Sequence, residues 1–222
     1  LVNASHSHSA PIAPGYTRKK ISDPHLERWA RQLPELCAEA ARKADSTRRP
    51  VSLSIGRAHV GEWVFNRRPV RPDGTVKTTF TPANRNILPE GLRFGPIDPT
   101  ATVLCFRDAG GGAVATLLHV ACHAVSVYGA HKGISADWPG AACQDLKKST
   151  GGEVLFLQGC GGDIVPARRG VGEAREMGAF IAGRAAIAAA QTLVLKPAPL
   201  AVSQAMLGLP LIKDAAREAG RP

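Results

Sequence analysis

Aromatic residues make up only 5% of this 222-residue sequence. Sequence-tolerant nucleic-acid surfaces interleave basic side chains with stacking rings. Here the basic clusters (Arg18-Lys19-Lys20, Arg48-Arg49, Arg67-Arg68-Pro69-Val70-Arg71 and Arg168-Arg169) are far apart, so no nucleic-acid partner is expected. The net charge of +10 is read instead as a solvated surface open to anionic lipid or substrate, compatible with peripheral contact at a membrane surface. No apolar run approaches the ~20 residues a membrane-spanning helix needs. The five cysteines (Cys37, Cys105, Cys122, Cys143, Cys160) lack CxxC spacing and are odd in number. That excludes a zinc knuckle and a closed disulfide framework, and small buried residues are expected instead. No internal repeat is found. Gly159, Gly161 and Gly162 lack both the Walker Lys-Ser/Thr and the dinucleotide spacing.

The chain does not begin with Met, and Leu1-Val2 reads as strand. Lys213–Glu218 reads as a helix barely begun where the sequence stops. The expectation is one incomplete domain, residues 1–222, truncated at both ends, with any secretion signal outside it.

What is present is a pair of histidines, His6 and His8, after the apolar start and before a Pro/Gly turn at Pro11, Pro14 and Gly15. On a strand, residues i and i+2 face one side with Cα atoms roughly 6.5–7 Å apart. Two such imidazoles can share a metal, or one can bind it while the other handles a proton. Two exposed histidines in a Ser-rich loop is the plainer alternative.

Asp23-Pro24 reads as a helix cap and first turn. Leu26, Trp29, Ala30, Leu33, Cys37, Ala40, Ala41 and Ala44 keep helical spacing, and Pro34 should kink or divide the helix. A strand is predicted at 51–56 and a long irregular excursion over 66–100. A hairpin follows from 102–106 and 114–120, joined by Asp108-Ala109-Gly110-Gly111-Gly112. A helix opened by a capping Asp137 runs to about Lys148. A buried strand spans 153–158, an Ala-rich helix runs from Val171 to about Thr192, and a last strand covers 201–207. The order predicts α/β or α+β, with a mixed β-sheet flanked by helices.

Three segments share one layout, a strand end followed by small or polar residues: His6-Ser7-His8, His119–Val125 and Gln158–Asp163. Strand ends of this kind converge on one crevice in open sheets. His6, His8 and His123 with a fourth ligand would make a catalytic zinc site at strand C-terminal ends, with a position open for water. His123 is equally readable as an incidental polar residue. His119 is expected to be a hydrogen-bonded core histidine, and Asp163 could orient a histidine or cap a turn. The three glycines imply close backbone packing near a ligand. His25, His59 and His131 lack any partner pattern.

Together these segments resemble the N-terminal catalytic domain of the neutral/alkaline ceramidases. Ser5-His6-Ser7-His8-Ser9-Ala10-Pro11 is similar to the family's THTHSGP-like motif, and Asn66-Arg67-Arg68 to its NR-containing segment. Ala121-Cys122-His123-Ala124 resembles A-x-H-P, and Ser135-Ala136-Asp137-Trp138-Pro139-Gly140 resembles SADYPG. Leu157–Pro166 resembles QGxxGDxxP, so the order matches over residues 1–166. The resemblance implies a Zn2+ hydrolase that cleaves the amide of N-acylsphingosine, or of a related lipid or amide, through a metal-activated water. By position, His6 and His123 would ligate zinc. His8 would stabilise or shuttle protons beside it, and Arg67 would contact polar substrate atoms. Gly161, Gly162 and Asp163 would border the site. The family's other ligands, a Glu and a Tyr, lie further along the full protein, so the segment alone is expected to be inactive. The family context suggests a secreted, periplasmic or membrane-associated protein.

Three positions depart from the pattern: Val165 stands where the family has a Ser, Ala124 where it has a Pro, and Ala10 where it has a Gly. Val165 has no hydroxyl and cannot be a nucleophile, which leaves the metal to generate one. A non-catalytic lipid-binding scaffold and a barrel-type HxH metal-dependent amidohydrolase are the competing readings.

Overall fold

The computed structural model describes residues 2–11, 23–76, 91–130, 132–199 and 201–208. Leu1, the Pro14-Gly15 turn, Arg18-Lys19-Lys20, His131 and the expected helix at 213–218 lie outside the described residues.

In chain order the elements are α1 (Pro24–Ser46), β1 (Ser52–His59), a 3-10 turn (Gly61–Trp63), β2 (Val64–Asn66), β3 (Thr100–Arg107), β4 (Ala113–Val120), α2 (Asp137–Thr150), β5 (Glu153–Gln158), β6 (Ile164–Pro166), α3 (Val171–Ala190) and β7 (Leu193–Val194). Five strands form a sheet in the order β5-β4-β3-β1-β7, and β2 pairs with β6 in a separate ribbon. The β4–β5 pair is parallel and the other pairs are antiparallel. This is a mixed α/β architecture with an open sheet. The antiparallel pairs and the open edges overturn the barrel-type reading, which needs parallel strands closed on themselves.

Strand alternation decides which face is covered. Ala101, Val103 and Cys105 of β3 and Leu118 and Val120 of β4 point into one core with Ala142 and Leu146 of α2 and Met177, Ile181, Ala185 and Ala188 of α3. α3 lies so close to β1 that a Cβ built on Gly56 would stand 2.2 Å from the Ala188 carbonyl oxygen. The other face carries the cross-strand row Ile55, Leu104, Leu117 and Leu155, and Leu155 is 51% exposed. The expectation of a buried strand at 153–158 is therefore corrected: β5 is covered on one face only.

α1 starts as predicted, with Asp23 Oδ1 accepting from the backbone N–H of His25 at 2.8 Å. It runs without a break through Pro34, and none of its residues is buried. The apolar stripe of the sequence is there, but its Leu33 is 38% exposed. Residues 201–207 form no strand and are exposed. The short β7 occupies the β1 edge instead. The hairpin forms as expected, and the 108–112 turn is held by Asp108 Oδ1, which accepts from Gly110 and Gly112 N–H at 3.0 and 2.9 Å. No described helix is long and apolar enough to cross a membrane.

Candidate metal centre

The parallel pair β4–β5 delivers two chain segments to one end of the sheet. Residues 121–127, after β4, are all buried, and residues 159–163 follow β5. His123 sits in the first segment, 6% exposed. Its backbone N–H donates to Ile164 O at 2.9 Å. Its Nδ1 meets the Gly161 carbonyl, and also Ile164 O at 3.1 Å. An Nδ1–H held by carbonyls leaves Nε2 with its lone pair outward, the state in which imidazole binds a metal.

His6 and His8 do not sit on a strand. Their segment lies outside the ladder, and His6 has φ 56°, in the left-handed region that L-residues seldom adopt. Four contacts replace strand pairing. Gln158 N–H donates to Asn3 Oδ1 at 3.2 Å, and His8 N–H donates to Ala124 O at 3.2 Å. Ser7 Oγ donates to Ser135 O at 2.8 Å, while Ser135 N–H donates to Ser9 O at 2.8 Å. The segment is thus laced to the loop after β4 and to the turn before α2.

The result is one cluster. Potential ligand atoms of His6, His8 and His123 all lie within 4.8 Å of one another. His8 Nε2 and His6 Nε2 are 3.2 Å apart. Two imidazole nitrogens on a tetrahedral zinc with Zn–N of about 2.0–2.1 Å stand about 3.3–3.4 Å apart, so the pair has the edge length of such a site. Three imidazoles suit zinc or another borderline transition metal better than a hard cation. These residues fit a metal.

The site is cationic beyond the histidines. Arg67, which follows β2, donates from Nη2 to Gly162 O at 2.8 Å. Burial holds the His8 imidazole below its usual range, and His6, His123, Arg67 and Arg169 push the same way. Burial also lowers His123. Arg67 and His6 add to that, while the Gly161 and Ile164 carbonyls oppose it. Both rings are therefore biased toward the neutral form that a metal requires.

Asp163 does not orient a histidine. Its Oδ2 accepts from Asn66 Nδ2 at 2.8 Å and its carbonyl from Arg67 N–H at 2.8 Å, which fixes the approach of Arg67 instead. Gly159 and Gly161 are close-packed, since a Cβ would stand 3.0 Å from Ala121 Cα at the first and 3.0 Å from Cys122 N at the second. Gly162 meets nothing within 4 Å and contributes its carbonyl. Val165 is fully buried with Phe65 and Val125. His119 is only half-buried on β4 rather than in the core. His59 pairs with Glu62 at 3.3 Å, away from the cluster. Of the cysteines only Cys105 and Cys122 are buried; Cys37 and Cys160 are exposed.

The sequence reading missed several contributors. The Tyr128 ring packs edge-on to His8 with centroids 5.4 Å apart. Asp137 is not the cap but the first helical residue, at φ 56°, with Ala136 as N-cap. The buried Asp137 carboxylate accepts from the backbone N–H of Ser126, Val127 and Trp138. The signal in the sequence was an Asp before Trp-Pro. Two of its three partners, Ser126 and Val127, lie about ten residues upstream, which local capping rules do not reach.

Two solved structures share this arrangement of elements. A neutral ceramidase from Pseudomonas aeruginosa superposes with TM-score 0.56 at 20% identity, covering 74% of this chain and 26% of that one. A ceramidase complexed with C2 gives TM-score 0.63 at 20% identity, over 85% of this chain and 30% of that one. The chain carries part of the neutral ceramidase fold. It spans less than a third of the length of either structure. No family model matches the sequence, and no curated protein sequence does.

Proposed function

We propose that the chain contributes the histidine side of a zinc-dependent amide hydrolase of the ceramidase type, acting on ceramide or a related lipid amide. The observation that supports this most is the convergence of His6, His8 and His123 on a scaffold whose solved neighbours are ceramidases. His6 and His123 would hold the metal, with His123 locked by the Gly161 and Ile164 carbonyls. His8, whose imidazole is held below its usual range by desolvation and the neighbouring His6 and His123, would accept or return a proton beside it. Arg67 would bind polar substrate atoms. Zinc held there would supply Lewis acidity and a bound water acidic enough to act near neutral pH.

An apolar substrate has somewhere to lie. A cavity of about 870 Å³ opens beside His8 and Tyr128, lined by Pro11, Leu26, Trp29 and Ile134 among others. A non-catalytic lipid-binding role draws on the same cavity and on Val165, which leaves no serine at that position.

Metal analysis of the purified full-length protein separates the readings. About one zinc per chain is expected, lost in His6→Ala and in His123→Ala; stoichiometric zinc in both variants overturns the assignment. Turnover of N-acylsphingosine or other N-acyl lipids by the full-length protein, lost with chelator and restored by zinc, supports the hydrolase. Tight lipid binding without turnover supports the binding module.

A further inference from the structure

Among the described residues other than glycine, only His6 and Asp137 have positive φ, both at 56°. Backbone of that kind costs energy and persists where its surroundings over-determine it. A short relay of hydrogen bonds joins the two. Ser7, between the histidines, donates from Oγ to Ser135 O at 2.8 Å, and the same Oγ accepts the Ser9 N–H at 3.2 Å. Ser135 donates its own N–H to Ser9 O at 2.8 Å, and its Oγ accepts the Asp137 N–H at 3.0 Å.

Beyond Asp137 the relay reaches the loop after β4. The Asp137 carboxylate accepts the N–H groups of Ser126 and Val127 at 3.0 and 2.9 Å, and the Trp138 indole donates to the His123 carbonyl. Ser135 therefore stands between the segment that carries His6 and His8 and the loop that carries His123. Exposure follows the same division: Ser7 and Ser9 are half-buried, whereas His6 and His8 are exposed. The other ties of the segment are longer. The bonds from Gln158 N–H to Asn3 Oδ1 and from His8 N–H to Ala124 O are each 3.2 Å, at the long end for N–H···O. Ser7 supplies a bond at the optimal O–H···O length from a position next to both histidines.

We propose that Ser7 is a positioning residue of the metal centre, a hydroxyl clasp that fixes His6 and His8 relative to His123 through the Ser135 turn. The clasp touches neither metal nor substrate. It opposes relaxation of the left-handed backbone at His6, so the rings are ordered on folding rather than on metal binding, and affinity gains from that preorganisation. The assignment rests on the metal reading above and adds to it the group that sets the spacing of the rings.

The test uses the full-length protein, stripped of metal with EDTA and titrated with Zn2+, then with Co2+, whose visible absorption band reports ligand geometry. Ser7→Ala should weaken Zn2+ binding about ten- to hundredfold, the usual effect of removing a group that orients metal ligands. It should also alter the Co2+ band. Ser7→Thr keeps the hydroxyl and should restore both. Asn3→Ala cuts an outer tie of the same segment and should cost less than Ser7→Ala. Parent-like Zn2+ affinity and an unchanged Co2+ band in Ser7→Ala overturn the clasp and leave the metal reading standing. So does a loss that Ser7→Thr fails to restore, or one that Asn3→Ala equals. A parent protein that takes up neither ion overturns the metal reading, and the clasp with it.

Discussion

The indole N–H of Trp138 donates to the carbonyl of His123 at 2.9 Å, joining the first turn of α2 to the candidate ligand that follows β4. Trp138 is fully buried, and its ring meets Phe156 edge-on at 5.2 Å. Among the described residues the other donor on that carbonyl is the weak Cys122 thiol, at 3.6 Å. Trp138→Phe keeps a ring in place and deletes the donor. It should cost about 1–3 kcal/mol, the penalty for an underserved buried carbonyl, measured by urea denaturation. Zinc affinity should fall with it, because the backbone that aims His123 loosens. Unchanged affinity with reduced stability would confine Trp138 to packing.

Asp137 carries a heavier share. Three backbone N–H groups end on its carboxylate at 2.7–3.0 Å, and its φ of 56° itself disfavours Ala. Asp137→Ala should destabilise by about 3 kcal/mol or more, at 1–3 kcal/mol for each orphaned donor. Asp137→Asn tolerates the left-handed backbone and keeps one acceptor oxygen, so it should fall between. Thermal denaturation of the two variants checks the order. Equal losses would mean that the hydrogen bonds, rather than the backbone angle, set the whole cost.

Much of the architecture was legible because it is local. The Asp23-Pro24 start, the Gly-rich hairpin and the alternation of β1 are set by neighbours a few residues apart. The histidine cluster was legible through motif order, since His6 and His123 have no spacing in common. What the sequence hid is non-local. The strand expected around His6 is replaced by four tertiary hydrogen bonds. Pro34 predicted a kink or division of α1, yet the helix runs unbroken and none of its residues is buried. Arg169 looked like one half of a basic doublet until its neighbour Arg168 turned away to Glu176. The carboxylate of Asp163 went to Asn66, because β2 and β6 pair in a register that puts Asn66 opposite Ile164, next to Asp163.

The depressed imidazoles of His8 and His123 give the metal-free chain a pH dependence with a defined sign. In the unfolded chain these rings protonate near pH 6.5, about the usual histidine value. In the folded chain they resist. Below that pH the unfolded state binds more protons, so stability is full above it and is lost as pH falls toward the folded-state values. Denaturation midpoints in EDTA should therefore drop between neutral and mildly acidic pH. His8→Gln should flatten part of that drop. A stability profile that is flat across the interval, or rises, would contradict the lowered imidazoles of His8 and His123.

Val165 occupies the position where the family resemblance expects a serine, and it faces the wrong way for chemistry. It is fully buried against Phe65 and Val125, paired with Phe65 in the β2–β6 ribbon. The neighbouring residue in the chain, Ile164, reaches the site with its carbonyl. Val165→Ser exchanges two buried methyl groups for a hydroxyl among apolar side chains. The cost should be about 2 kcal/mol, from lost apolar burial and an unmet polar group. Zinc retention should be unchanged, because both carbonyls on His123 belong to the backbone. No gain in amide hydrolysis should follow, as the new hydroxyl would sit in the Phe65 pocket rather than beside His6. Denaturation, metal content and turnover on one preparation decide it: a variant as stable as the parent and more active would show that the missing serine, not the metal, limits this site.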